Sequence, residues 1–457
     1  MVWFDGHDDA AIVLYSRSDA TANIPEQFPA GSAKVELPDT LPPVRGAVGA
    51  SNENISSNPA ANASGKGMMK LRVGILFGGR SAEHDVSVIS ARNIMAAADP
   101  RKYQIIPIGI TKEGQWRIAK DALRASGPQR KVPRREVTDW SALQAAILQD
   151  GQEVLLTSNP FSKASLIPLK KSPAHREAKL DVVFPVLHGT FGEDGTVQGA
   201  LELAGIPYVG AGVLGSSAGM DKEVMKRLFH ERGLPIVPYV TVRRAEFESE
   251  PRKIVREIEK KLPYPLFIKP ANLGSSVGIS KARNRKELQA ALELASQYDR
   301  KLLVEIAIDG REIECAVLGN DAPQASIPGE VVPAGEFYDY TAKYLDDTAR
   351  LLVPALLRPA QVKQVQRLAV AGFQAAECEG MARVDFFLEK RTGKFYLNEI
   401  NTLPGFTSIS MYPRLWEASG ITYPKLIDLL IELALDRHGE KARTVYSLEA
   451  KGTKSGA

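Results

Sequence analysis

The stretch that most constrains this chain runs from Met381 to Met411, MARVDFFLEKRTGKFYLNEINTLPGFTSISM. It reads as two strands joined by a tight turn, then a Gly-containing loop. Arg383 and Asp385 share a face of the first strand, as Glu399 and Asn401 do on the second. Pairing Glu389 with Phe395 around the Lys390-to-Lys394 turn sets Asp385 directly across from Glu399. Two carboxylates about 4 Å apart repel by roughly 4 kcal/mol at an effective dielectric near 20, so the hairpin alone gains nothing from them. A cation between them resolves the conflict, and Asp, Glu and Asn oxygens suit Mg²⁺, which one or two carboxylates hold together with nucleotide phosphates. A solvated polar face on an edge hairpin is the other reading.

At 457 residues the chain exceeds one ordinary core, which predicts two to four domains. No apolar run approaches the ~20 residues of a bilayer span, which argues against membrane insertion. Residues 1–67 carry eight acids against four bases, leaving the remainder near +8. That mild basicity suits anionic small molecules and falls short of the dense basic stripe of a nucleic-acid binder. Cys315 and Cys378 have no CxxC spacing, so neither a disulfide framework nor a structural zinc site is expected, and a reducing cytoplasm is the default compartment. Residues 1–67, rich in Pro, Asn, Ser, Ala and Gly, show no sustained period and read as a disordered or non-native extension. Met68 and Met69 stand just before the first patterned strand, where the natural start is expected.

Two units then share one layout. In LRVGILFGGRSAEHDVS a buried strand, Leu71 to Phe77, runs through Gly78-Gly79 into a helix capped near Ser81 and carrying Glu83 and His84 in its first turn. In the second, a strand from Asp181 to Leu187 delivers His188 and HGTFGEDGT before a helix from Val197 to Ala204. Stacked units of this kind give a parallel sheet with ligands at the carboxyl ends of its strands, which puts His188 and Glu193 within reach of a small substrate. A turn-stabilising role for His188 is equally open. Tyr103 to Ile110 reads as a strand followed by a hairpin at Lys112 to Gly114. Between residues 117 and 179 the pattern loosens, and Arg130, Lys131, Arg134 and Arg135 read as solvated surface.

A helix from Asp221 to Arg232 carries Lys222 near its start, and a strand from Tyr264 ends in Lys269-Pro270. NLGSSVGIS, residues 272–280, lacks Walker spacing, but its glycines and the hydroxyls of Ser275 and Ser276 can wrap phosphate beside Lys269. A flexible hairpin tip is the alternative. Glu305 on the strand from Leu302 and Glu312 on the next strand either contact a nucleotide or point to solvent. GEFYDYTAKYLDDTA, residues 335–349, reads as a lid loop over the site. Helices from Ala360 to Glu379 and from Tyr423 to Asp436 complete the body.

GGRSAEHDVS, HGTFGEDGT, MDK at 220–222, IKPANLGSSVG, FYDYTAKYL, ARVDFF and NEINTLPGFTSIS together resemble the D-alanine:D-alanine ligases, in the same order and over residues 70–437. The resemblance implies a three-domain ATP-grasp fold of α/β class: an N-terminal parallel-sheet substrate domain (68–210), a central domain (211–308), a C-terminal catalytic domain (309–440) and a flexible tail (441–457). It also implies a cytoplasmic homodimer acting on D-alanine and ATP. One D-alanine carboxylate takes the γ-phosphate, and the amine of a second displaces phosphate from the acyl phosphate.

By the same resemblance, Asp385, Glu399 and Asn401 hold two Mg²⁺, with Mn²⁺ able to substitute, and Lys222, Lys269 and Ser276 bind the ATP phosphates. Glu305 and Glu312 take the adenine edge and ribose, while Arg383 and the Gly405 N–H face the tetrahedral oxyanion. Glu83 holds the first ammonium; Ser275 and Tyr344 complete its hydrogen-bonded set and lock the lid. Lys343 and Ser410 lie by the transferred phosphate and the second carboxylate, and His188 lies by the first alanine. Tyr344 favours an amine as the second nucleophile over the D-lactate of depsipeptide-forming relatives. A fold retained for nucleotide binding without catalysis would be expected to have lost some of Arg383, Asp385, Glu399 and Asn401, and all four are present.

Overall fold

The computed structural model describes residues 69–119, 140–161, 165–169, 178–274, 277–332 and 350–446. The extension at 1–67, the basic cluster at 130–135 and the lid at 335–349 lie outside them, as do Ser275, Ser276, Lys343 and Tyr344. Three sheets organise the described residues.

In the first sheet, Leu71–Gly78 lies between Tyr103–Ile110 and Val182–Val186, and both neighbours run parallel to it. These strands are apolar on both faces because helix His84–Ala97 and the helix Tyr423–Lys441 cover one side and the Leu201 helix the other. The sheet is mixed rather than wholly parallel: Trp116–Ile118, Gln152–Leu156 and Leu166–Pro168 extend it antiparallel. The short turn from Thr111 to Gln115, closed by a 2.9 Å backbone hydrogen bond, permits only an antiparallel neighbour. The helix after Gly78-Gly79 begins at His84 with Glu83 as its cap residue, two residues beyond the expected cap at Ser81. Ser81 Oγ instead accepts the Glu83 N–H at 3.0 Å, holding the turn that precedes the helix.

The middle sheet is antiparallel throughout, in the order Tyr239–Arg243, Lys301–Ile306, Leu266–Pro270, Ser280–Ala282. Helices Pro251–Lys261 and Arg285–Tyr298 cover one face through Val255, Ile258, Leu288 and Leu292, packed on Ile268, Leu302 and Val304. The opposite face carries Lys269 and Glu305.

In the third sheet, Gly310–Gly319 and Gly380–Glu389 pair antiparallel along ten residues each, flanked by Gly329–Val332 with Arg350–Leu352 and by Phe395–Asn401. Val384, Phe386 and Leu388 point to helix Pro359–Ala375, so alternation turns Arg383 and Asp385 to the other face. Asp385 does pair with Glu399, but by a different route from the one the turn suggested. Leu388, not Glu389, faces Phe395, and an irregularity between Asp385 and Phe386 leaves Asn398 as an extra residue that restores the register.

Candidate active site

The loop after Phe395–Asn401 carries this site into the first sheet. Strand pairing sets Phe77 beside Val186, so the turns that follow the two strands emerge side by side. Ser87 ties them together: its Oγ accepts the Gly78 N–H at 2.8 Å and donates to the Val186 carbonyl. His188, buried, can only donate from Nδ1 to the Leu403 carbonyl at 2.9 Å, which leaves Nε2 facing Ser90 Oγ at 3.5 Å. Burial holds its pKa below the ordinary value against the pull of Glu83, so the imidazole is kept neutral. Ser90 Oγ also accepts the Phe406 N–H at 3.2 Å.

Glu193 accepts the N–H groups of Gly189 at 2.7 Å and Leu403 at 3.2 Å. Burial, reinforced by the Glu83 carboxylate, pushes it up to about 8 in spite of those two donors. The Glu83 carboxylate is itself buried between two glycines: a Cβ on Gly189 or Gly274 would stand 2.9 or 3.1 Å from its Oε2. Gly189, at φ +73°, also needs the left-handed backbone that glycine adopts freely. Gly274 belongs to the middle sheet's glycine-rich loop, so that loop meets the first sheet at Glu83. A Cβ on Gly405 would stand 2.7 Å from Ser410 Oγ, and Ser410 fixes the loop by accepting the Thr407 N–H at 2.9 Å.

Opposite, lysines and carboxylates from two sheets and one helix converge. Asp221 caps helix Lys222–Glu231 by accepting from the N–H groups of Glu223 and Val224, and this aims Lys222 into the cleft. Lys222 Nζ donates to the Leu273 carbonyl at 2.9 Å and lies 3.4 Å from Glu399. Lys269 Nζ is 2.7 Å from Glu305 and 3.3 Å from Asn398 Oδ1, the residue displaced by the strand irregularity. Burial opposes the charge on Lys269, yet Glu305 and Glu399 outweigh it and raise its pKa, with Glu312 adding to the pull. Glu305 is buried between Lys269 and Lys226, the latter also at 2.7 Å, and the two ammoniums keep it ionised against burial. Its carboxylate therefore does not point to solvent.

Arg383 grips Asp385 through two hydrogen bonds of 2.7 and 2.6 Å and reaches Glu314 at 3.0 Å, while Asn401 Nδ2 donates to Asp385 at 2.9 Å. The guanidinium thus supplies positive charge to Asp385, while Lys222 lies against the opposed Glu399. Among the described residues no group of three His, Cys, Asp or Glu side chains could hold a metal ion alone. Two carboxylates and an amide oxygen still match the hard-donor chemistry of Mg²⁺, provided that a ligand such as a nucleotide phosphate completes its shell.

Sequence reading passed over Lys226, Glu314, Asn398 and Ser90. Only Lys226 had a visible signal, lying four residues and one helical turn after Lys222 on the same face.

Two antiparallel sheets meeting at a lysine-and-carboxylate cleft, with a strand–turn–helix unit against its mouth, define an enzyme of the ATP-grasp class. The family model described as the D-ala D-ala ligase N-terminus matches residues 72–211, and that for the C-terminus matches residues 228–432. A D-alanine–D-alanine ligase of Solibacter usitatus is 52% identical over 379 residues, covering 83% of this chain and all of the relative. One from Acetivibrio thermocellus is 50% identical over 378 residues, 82% of this chain and 98% of the relative. Among solved structures, the D-alanine-D-alanine ligase of Coxiella burnetii superposes with a TM-score of 0.66 at 38% identity, over 82% of this chain and 96% of that one. The VanG D-Ala:D-Ser ligase of Enterococcus faecalis gives 0.67 at 36% identity, over 80% of this chain and all of the other. The chain belongs to the D-alanine–D-alanine ligase family.

Proposed function

We propose that this protein joins two molecules of D-alanine into D-alanyl-D-alanine at the expense of ATP, supplying a precursor of cell-wall peptidoglycan. The observation that carries the reading is the convergence of Lys222, Lys269, Arg383, Asp385 and Glu399 on the cleft between the middle and third sheets. Phosphoryl transfer from ATP to a carboxylate needs positioning and neutralisation of charge more than covalent help. Lys222, Lys269 and Ser276 hold the phosphates in this reading, with Glu305 and Glu312 bordering the adenine and ribose. Asp385, Glu399 and Asn401 would hold two Mg²⁺, or Mn²⁺ in their place, which when bound offset the phosphate charge.

Glu83 and neutral His188 receive the first D-alanine. Arg383 and the Gly405 N–H stabilise the oxyanion formed when the second amine attacks. Ser410 and Lys343 orient the second carboxylate and the transferred phosphate, and Ser275 with Tyr344 joins Glu83 as the lid closes. In this scheme each of the three sheets would form the body of one domain, and we take the working form to be a cytoplasmic homodimer. Among the described residues no helix is long and apolar enough to cross a membrane.

ADP release measured with Mg²⁺ and D-alanine, D-alanine plus D-lactate, or L-alanine, with products identified by mass, tests this function. D-alanyl-D-alanine from D-alanine alone is expected. Its absence under every condition would overturn the reading, and a depsipeptide as the main product would reassign the acceptor.

A further inference from the structure

Lys226 is 1% exposed and belongs to no role assigned above. Its Nζ lies 2.7 Å from Glu305 Oε1, and Lys269 Nζ lies 2.7 Å from Glu305 Oε2. One carboxylate therefore serves two ammoniums. Pairing Leu303 with Lys269 and Glu305 with Phe267 makes Lys269 and Glu305 diagonal neighbours on one face of the middle sheet. The helix lays Lys226 over that face from behind. The two lysines differ in access: the Lys269 side chain retains 10% exposure beside Asn398, whereas that of Lys226 retains 1%.

Burying an unpaired ammonium is strongly unfavourable, so a sealed lysine is kept only where a counter-charge holds it. Burial lowers the pKa of Lys226, and Glu305 pulls it back up; with the ammonium so retained, the two form a pair of zero net charge. With its charge balanced from behind, Glu305 holds Lys269 in place without cancelling its charge. Without Lys226, the carboxylate would be fully committed to Lys269, and the lysine facing the cleft would present little net field to an anion.

We propose that Lys226 is a positioning residue for nucleotide binding: by balancing Glu305 from the closed side, it leaves the charge of Lys269 available to the polyphosphate. The inference rests on the assignment of Lys269 to the ATP phosphates. It predicts that the loss of Lys226 weakens polyphosphate binding specifically, leaving the nucleoside and the amino acid unaffected.

The test uses the full chain and calorimetric titration of ATP and of adenosine, with steady-state KM values for ATP and D-alanine. Lys226→Met should weaken ATP about tenfold while changing adenosine affinity and the D-alanine KM less than twofold. Lys226→Arg, which keeps the charge, should recover most of the loss. Removing the competing carboxylate as well, in Lys226→Met/Glu305→Gln, should bring the ratio of ATP to adenosine affinity back to within about threefold of wild type. Using the ratio separates this effect from any contact between Glu305 and adenine. An unchanged ATP affinity in Lys226→Met, equal losses for ATP and adenosine, or a double variant with a worse ratio than the single would each overturn the inference. Lys269→Met separates the two readings. If it leaves ATP affinity intact, the phosphate assignment falls; if it loses affinity while Lys226→Met does not, only the role of Lys226 falls.

Discussion

Glu193 ties the first sheet to the loop after the Phe395–Asn401 strand, and its protonation makes that tie pH-dependent. Burial and the Glu83 carboxylate raise it from 4.5 to about 8, so the folded protein retains a proton that the unfolded chain has released. With the folded value above the unfolded one, the associated stability is fully present below pH 4.5 and is lost as pH rises through about 8. At 1.36 kcal/mol per unit, the loss between pH 6 and pH 9 is about 3 kcal/mol, reduced to roughly 2 because part of the side chain meets solvent. Urea denaturation of the wild type and of Glu193→Gln at pH 6, 7, 8 and 9 isolates the effect, since the other titrations are common to both. Glutamine has one acceptor oxygen for the two backbone donors, so the variant should start less stable at pH 6. The gap should then close by roughly 2 kcal/mol by pH 9. A gap constant to within about 0.5 kcal/mol across the range would refute the claim that a half-buried, proton-retaining carboxyl bridges Gly189 and Leu403.

Other perturbations act on separate links. Asp385→Asn and Glu399→Gln should each lower turnover about a hundredfold or more with an unchanged circular dichroism spectrum; near-wild-type activity in both would show that the metal and phosphate site is misplaced. Ser87→Ala leaves the buried Gly78 N–H and Val186 carbonyl without their shared partner, and should cost about 1–3 kcal/mol in urea denaturation. A loss below about 0.5 kcal/mol would mean that the two strand ends relax onto each other. Tyr103→Phe removes the buried 2.7 Å hydrogen bond to Asp428 on the helix Tyr423–Lys441. It should cost about 1.5–3 kcal/mol, and an unchanged midpoint would show that the salt bridge from Lys102 suffices.

How far the sequence led differs from residue to residue. Alternation along residues 381–401 puts Arg383 with Asp385, and Glu399 with Asn401, on one face of each strand, whereas Asp385 opposite Glu399 rests on an assumed pairing of Glu389 with Phe395 that is one residue off. The irregularity at Asn398 was hidden, since an extra residue leaves no mark on hydrophobicity; two offsets, one at the turn and one at the irregularity, cancelled before the carboxylates. The glycines and polar residues after Phe77 announced a turn, but Ser81 closes the turn through the Glu83 N–H rather than capping the helix. Lys226 looks like one more charge on an amphipathic helix. Its burial is a tertiary fact: it arises where the helix packs Met225 and Phe229 into the third sheet's core while Lys226 reaches Glu305 of the middle sheet, and its spacing from Lys222 shows the face but not the burial. Arg383 between Glu314 and Asp385 was hidden for the same reason, since Glu314 arrives from a strand more than sixty residues earlier. Residues 335–349 and Ser275–Ser276 lie outside the described residues, so their roles rest on the motifs alone.

The central claim is that a D-alanine carboxylate captures the γ-phosphate before the second amine attacks. Turnover with D-alanine labelled with ¹⁸O in its carboxylate, followed by mass analysis of the released phosphate, tests it most directly. The account predicts one labelled oxygen per phosphate, because the bridging oxygen leaves with phosphorus when the amine takes the carbonyl carbon. Dipeptide formed with unlabelled phosphate would contradict it.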